Sequence, residues 1–237
     1  MISKKIEIGL RGSPKIPGDK SISHRSIIIP SISNGISEVN NFLKSEDVLN
    51  TLKAFQSMGV KILENEDKLI IHGNGLNSLK KPNDEIYLGN SGTSARLLTG
   101  LLCSQNFDSI LTGDHSLSSR PMKRISDPLH KMNAKITSED GKMPLKIYGR
   151  KLVNSDIEIK IPSAQIKSGV LLAALNTEGI STIIENHTTR DHTEIMLSAF
   201  GADIRTEKKD RKKIIKINGK KELKSQNIDV PSDLSSS

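Results

Sequence analysis

The chain has 237 residues, 35% of them hydrophobic, with 35 Lys and Arg against 27 Asp and Glu and a formal net charge of +8. This is enough for one large or two small folded domains, its longest apolar run falls far short of the ~20 residues of a membrane helix, and no apolar targeting signal opens it. With Cys103 as the single cysteine there is neither a disulfide framework nor a cysteine-built metal cluster, and the expectation is a soluble, cytoplasmic protein.

In chain order, a strand over Ile6 to Leu10 and a linker precede a pattern that occurs three times. A short apolar strand enters a turn rich in Gly, Pro and Ser, and a helix then opens with small hydroxyl residues and a cation. The three stretches are Lys15 to Ile27, Ile86 to Leu98 and Ile159 to Val170. Each helix is followed by a β-rich run: Gly35 to Asn40, Ser109 to Gly113 and Gly179 to Glu185. A second helix comes next, amphipathic through Val48, Leu52 and Phe55 in the first copy and Ile125, Leu129 and Met132 in the second. It closes on Met58-Gly59, Met132-Asn133 or Phe200-Gly201, where Gly or Asn suits a left-handed C-cap. A strand with a terminal glycine ends each copy: Leu69 to Gly73, Leu145 to Gly149 and Ile214 to Gly219.

Ser21, Ser91 and Ser163 thus recur at intervals of about 70 residues, longer than the ~20–50 residues of solenoid repeats. The pattern predicts three packed βαβαβ-type units, about 15–85, 86–156 and 157–227. The first helices of the second and third units are apolar nearly all round, which predicts burial between the units, with their polar N-termini converging on one face. Helix N-termini carry unpaired N–H groups and about half a positive charge, so the set is suited to phosphate or carboxylate. Ser21, Thr93 and Ser163 are equally candidates for plain N-caps, Arg96 reads as structural, and Asp191 with Glu194 reads as the cap of its helix. Residues 228–235 repeat the strand, proline and hydroxyl-rich helix start, which reads as the opening of a fourth copy at the end of the sequence, the alternative being a disordered polar tail.

A charge of +8 also raises nucleic acid as a partner. Much of the excess lies in Lys208 to Lys213 and Lys220 to Lys224, which read as a solvated hairpin surface, and aromatic residues make up 3% with no tryptophan to stack on bases. No groove-reading helix stands out.

Five motifs in order carry a resemblance: PGDKSISHR (Pro17 to Arg25), LGNSGTSARLLTG (Leu88 to Gly100), SRPM (Ser119 to Met122), PSAQIKSGVLLAAL (Pro162 to Leu175) and TRDHTE (Thr189 to Glu194). Together they resemble 5-enolpyruvylshikimate-3-phosphate synthase. The resemblance implies an enolpyruvyl transferase-like inside-out α/β barrel and transfer of the carboxyvinyl group of phosphoenolpyruvate to the 5-hydroxyl of shikimate 3-phosphate, with phosphate released through a tetrahedral intermediate. It further implies no cofactor, no metal, no membrane and a monomer.

By matching motif positions, Lys20 is implied to touch both substrates and to be the catalytic cation of this chain. Ser21, Arg25, Ser163, Ala164, Gln165 and Arg190 are implied to hold shikimate 3-phosphate, Ala164 only through backbone or packing. Asn90, Gly92 and Arg120, with Lys20 and Gln165, are implied on the phosphoenolpyruvate side. Family members have two such three-repeat domains. The implied division is therefore residues 1–14 as strand and linker of the other domain, 15–227 as the substrate-binding domain, and 228–237 as entry into the second domain. The family's acid/base carboxylates then fall beyond Ser237, and a chain of this extent is expected to be inactive alone. Two other readings stay open. The sister UDP-N-acetylglucosamine enolpyruvyl transferase uses a loop cysteine, whereas Cys103 sits in an apolar helix; a non-catalytic anion-binding module or a relative of the RNA 3'-phosphate cyclases is the other.

Overall fold

The computed structural model describes residues 16–65 and 68–234. The strand expected over Ile6 to Leu10 lies outside the described residues, as do Lys15 and Ser235 at the edges of two motifs.

The first repeat contains α1 (Lys20–Ser31), β1 (Asn34–Asn40), α2 (Glu46–Ser57), β2 (Lys61–Asn65) and β3 (Lys68–Asn74). The second contains β4 (Ile86–Tyr87), α3 (Gly92–Cys103), β5 (Ser109–Thr112), the single turn α4 (His115–Ser118), α5 (Lys123–Lys131), β6 (Lys135–Ser138) and β7 (Leu145–Tyr148). The third runs through β8 (Asp156–Ile159), α6 (Ala164–Leu175), β9 (Ile180–Glu185), α7 (His192–Ala199), β10 (Asp203–Lys209) and β11 (Lys212–Asn218), and β12 (Ile228–Asp229) follows.

Three four-stranded sheets share one order: β12-β1-β3-β2, β4-β5-β7-β6 and β8-β9-β11-β10. In each, the outer first strand is parallel to the second and the last two form an antiparallel hairpin. The residues after the Met-Gly signature open β2, β6 and β10, so the unit is βαβαββ, one strand more than the sequence pattern suggested. A second difference concerns the first copy. Ile16 and Pro17 form no strand, and the vacant outer position beside β1 is filled by β12, with Val39 opposite Ile228. The segment read as the start of a fourth copy thus completes the sheet of the first.

Strand alternation sets the layers. Val39, Leu69 and Ile71, then Leu111, Leu145 and Ile147, then Ile183, Ile215 and Ile217 all point inward and are buried, while their neighbours face solvent, as a half-buried antiparallel sheet requires. Helices occupy the interior: α6 is buried along its whole length from Ile166 to Leu175 and packs on α3, which is buried at most positions. This is the inside-out α/β arrangement the sequence pointed to. The recurrent cap is also as read, with Gly59, Asn133 and Gly201 at φ of 85°, 66° and 90°. The recurrent strand-end glycine has a cause that sequence did not supply. A Cβ on Gly73, Gly149 or Gly219 would lie 2.1, 2.3 or 1.8 Å from a carbonyl oxygen of Pro30, Phe107 or Thr177, on the turn that ends the central helix of the same repeat.

Candidate functional site

The N-termini of α1, α3 and α6 converge, and the caps that start them differ from expectation in part. Ser163 caps α6 as anticipated, accepting from the Ile166 N–H. Ser91 caps α3 in place of Thr93, and Asp19 caps α1 in place of Ser21, accepting from the Ile22 N–H at 2.7 Å. Ser21 and Thr93 are therefore left facing outward. With Arg25, Ser163, Ala164, Gln165 and Arg190 they line one cleft of about 340 Å³, so seven residues from four separate motifs share a wall.

Arg25 is the most constrained of them. It is 4% exposed, and its Nε donates to Thr193 Oγ1 at 2.6 Å, its Nη2 to Ser168 Oγ at 2.7 Å and its Nη1 to the Ser21 carbonyl at 2.7 Å. Thr193 Oγ1 donates a hydrogen bond to Ser168 Oγ, which donates in turn to the Ala164 carbonyl. A guanidinium has five N–H donors, so two remain for the cleft. Burial lowers the Arg25 pKa to about 10, offset in part by Asp19 and Glu194, and the group stays charged at neutral pH.

A second group adjoins the first. Arg120 Nη2 donates to Asn90 Oδ1 at 2.5 Å and to Ser116 Oγ at 3.2 Å. Gly92 lies beneath the cations: a Cβ there would be 2.7 Å from Arg96 Nη1 and 3.0 Å from Arg120 Nη1. Gln165 joins the two groups, donating to Thr93 Oγ1 at 3.0 Å and accepting from Arg96 Nη1 at 2.9 Å. Arg96 has its pKa lowered first by burial and then by Arg120 and Arg124, which makes this a locally electropositive wall. Arg96 Nη1 also reaches back to the Gly92 carbonyl at 3.0 Å. Lys20 is half-exposed outside the first cleft and pairs with Asp47 of α2 at 3.2 Å.

Thr193, Ser168 and the Arg96–Gln165 link escaped sequence reading. The available signal was a lone hydroxyl within a largely apolar helix, as Ser168 is in α6. Asp191 and Glu194 were misread: Asp191 makes no side-chain cap bond, and Glu194 turns inward to buried lysines. One of those is Lys213, 6% exposed, although the basic run containing it read as solvated. His24 is fully buried, its Nδ1 2.8 Å from Thr51 Oγ1 and 3.2 Å from Ser94 Oγ. Burial, then Arg25 and Lys20, lower its pKa to about 3, so it stays neutral inside the fold. His192 lines the first cleft with its pKa lowered, mainly by burial. Cys103 is buried with its thiol pushed up to about 12, the opposite of an activated nucleophile. A further cleft between α5 and β8 offers Arg124, Lys131 and Lys160, but Asp127 and Glu158 share its wall, and α6 contributes only the apolar Ile166. Among the described residues no cluster of His, Cys, Asp and Glu has the makings of a metal site, and no helix is long and apolar enough to cross a membrane.

Central helices opening together onto clustered cations, ringed by outer sheets, define an α/β protein of the inside-out type with a cation-lined cleft. The family model for EPSP synthase (3-phosphoshikimate 1-carboxyvinyltransferase) matches residues 5–237, and the chain belongs to that family. Among its relatives, the 3-phosphoshikimate 1-carboxyvinyltransferase of Ruthia magnifica subsp. Calyptogena magnifica is 53% identical over 228 residues, covering 96% of this chain and 52% of the relative. That of Hydrogenovibrio crunogenus is 49% identical over 241 residues, covering 99% and 54%. The solved EPSP synthase of Acinetobacter baumannii superposes with a TM-score of 0.88 at 49% identity, covering 94% of this chain and 50% of that one. The chain thus spans about half the length of the relatives it matches.

Proposed function

We propose that this chain carries the shikimate 3-phosphate-binding part of a 3-phosphoshikimate 1-carboxyvinyltransferase, with residues 15–227 as the substrate-binding domain. The observation that carries the reading is the single cleft in which Ser21, Arg25, Ser163, Gln165 and Arg190 meet. The phosphate takes the start of α6 with the Ser163 hydroxyl and the Arg190 guanidinium, where helix dipole and cation act together. The two unused N–H groups of Arg25 suit the substrate carboxylate, a planar fork against a planar acceptor. Phosphoenolpyruvate takes the adjoining wall, where Arg120 is held by Asn90 and the missing side chain of Gly92 allows close approach. Lys20 lies outside the first cleft and bridges the substrates once its exposed pairing with Asp47 gives way, since such a pair is worth no more than about 1 kcal/mol. The contribution of these residues to the reaction is binding, orientation and neutralisation of charge on two anionic reactants held side by side. In this reading the protein works in the cytoplasm on small molecules.

Calorimetric titration of the 237-residue chain with shikimate 3-phosphate tests this, with short RNA ending in a 3'-phosphate as the second arm. Saturable binding of shikimate 3-phosphate alone is expected. Binding of the RNA with none of the small anion would overturn the reading.

A further inference from the structure

Behind the cleft wall lie four charged side chains that the proposed binding scheme does not use. Lys167 of α6 is 0% exposed, Glu185 at the end of β9 1%, and Glu194 of α7 and Lys213 of β11 6% each. Lys167 Nζ donates to Glu185 Oε2 at 2.8 Å, lies 2.8 Å from Glu194 Oε1 and is 3.5 Å from the Thr189 carbonyl. Lys213 Nζ pairs with the other Glu194 oxygen, and Thr189 Oγ1 donates to Glu185 Oε1. Two lysines and two glutamates balance, so the cluster is neutral as a whole.

The fold does not demand it. Lys167 stands four residues after the cap of α6, and the equivalent positions are Ser23 after Asp19 in α1 and Ala95 after Ser91 in α3. All three sites are buried, yet only the third repeat carries charge there. Replacing a buried ion cluster by apolar side chains is often neutral or stabilising, so stability gives no reason for it. What distinguishes the third repeat is the loop between β9 and α7, which carries Arg190 into the cleft. The cluster grips that loop at Thr189 through both its carbonyl and its hydroxyl, and Glu194 sits one residue beyond Thr193, the partner of Arg25.

We propose that the buried Lys167–Glu185–Glu194–Lys213 cluster is a positioning device that fixes the Thr189–Arg190 loop, and with it the Arg190 guanidinium, for an anionic ligand. The ligand part of this inference rests on the function proposed above; the loop part does not.

Thr189→Val removes the hydroxyl bond to Glu185 and leaves the carbonyl bond to Lys167, so it loosens the grip on the loop without touching a charge, and Thr189→Ser keeps the hydroxyl. Shikimate 3-phosphate affinity is expected to fall about fivefold in Thr189→Val, the worth of one hydrogen bond, and to return in Thr189→Ser. The loss should vanish in an Arg190→Ala background, because contacting groups are non-additive; a purely structural role predicts the same loss in both backgrounds. Limited trypsin digestion of the unliganded chain reads the loop directly. Cleavage after Arg190, relative to cleavage after the remote and exposed Arg150, should speed up about tenfold in Thr189→Val as the open loop becomes more populated. Unchanged cleavage, or an affinity loss that persists without Arg190, overturns the inference. Absence of any shikimate 3-phosphate binding by the unsubstituted chain overturns the proposed function instead and leaves the digestion to decide the loop.

Discussion

Arg25 shows how one side chain can be both scaffold and ligand. Three of its donors are spent on Thr193, Ser168 and the Ser21 carbonyl, so the remaining two are held in direction before any ligand arrives. Arg25→Ala should weaken shikimate 3-phosphate binding by about 2 kcal/mol or more, roughly thirtyfold, because a charge-assisted bidentate contact is lost; wild-type affinity by calorimetry would contradict the assignment. His24 makes a different prediction. Its folded pKa of about 3 lies below the 6.5 of the free side chain, so protonation favours the unfolded chain. The stabilising effect is complete above about pH 6.5 and is lost at about 1.4 kcal/mol per unit as pH falls towards 3. Urea midpoints at about pH 7 and pH 5 should drop more for the wild type than for His24→Asn; equal drops would refute this role. The candidate site was legible at residue level only so far as a motif singled out residues that line the cleft, as with Ser163 and Arg25. It was not legible where the contact joins distant segments. Nothing in the local sequence says that Thr193 meets Arg25 or that Glu194 turns from the helix cap to Lys167.

At the level of elements, the crossing of α3 and α6 sets how close the two N-termini can come. The helices touch through glycine: a Cβ on Gly100 would lie 1.8 Å from the Gly169 carbonyl oxygen, and one on Gly169 2.5 Å from that of Arg96. Neither obstacle is a flexible side chain, so Gly100→Ala must push the helices apart and should cost about 3 kcal/mol or more, the upper range of overpacking. Gly201→Asn provides the contrast. Its φ of 90° demands a left-handed residue, but its surroundings are open, and Asn133 fills the same cap position at φ 66°, so a loss under about 1 kcal/mol is expected. Comparable urea denaturation midpoints for the two variants would show that the crossing has slack. The repeats were readable because helix period, cap and strand-end glycine recur together. The extra strand of each unit was missed because the residues after the cap, such as Val60-Lys61-Ile62, are too few to declare a strand until a partner hairpin is seen.

Across the whole molecule, the far end of the described chain helps to close the three repeats into a ring, beside the bonds of Arg25 to Ser168 and Thr193. β12 fills the outer place in the first sheet that β4 and β8 fill in the others, a role no local pattern announces, since the segment matches a helix-opening motif equally well. Beyond β12 the chain runs antiparallel to residues 16–19: the Asp19 N–H donates to the Pro231 carbonyl at 2.8 Å, the Asp233 N–H to the Pro17 carbonyl at 2.9 Å, and Gly18 bridges Ser232. Asp19 is also the cap of α1, the helix that carries Lys20, Ser21 and Arg25. The strap is sealed by Val230, 3% exposed against Gly18, while its N–H donates to the Asn40 carbonyl and its own carbonyl accepts from Asn41 Nδ2. Val230→Asp would put an unpaired charge into that seam, and a destabilisation of about 3 kcal/mol or more is expected. Ile36→Asp on the neighbouring β1 is the control, because Ile36 is 58% exposed and surface changes stay within about 0.5 kcal/mol. If the strap holds α1 for its ligand, Val230→Asp should also weaken shikimate 3-phosphate binding under conditions where far-UV circular dichroism shows the variant folded. Equal stability of the two variants in urea would mean that the ring is closed by other contacts, and that the last residues described merely lie along it.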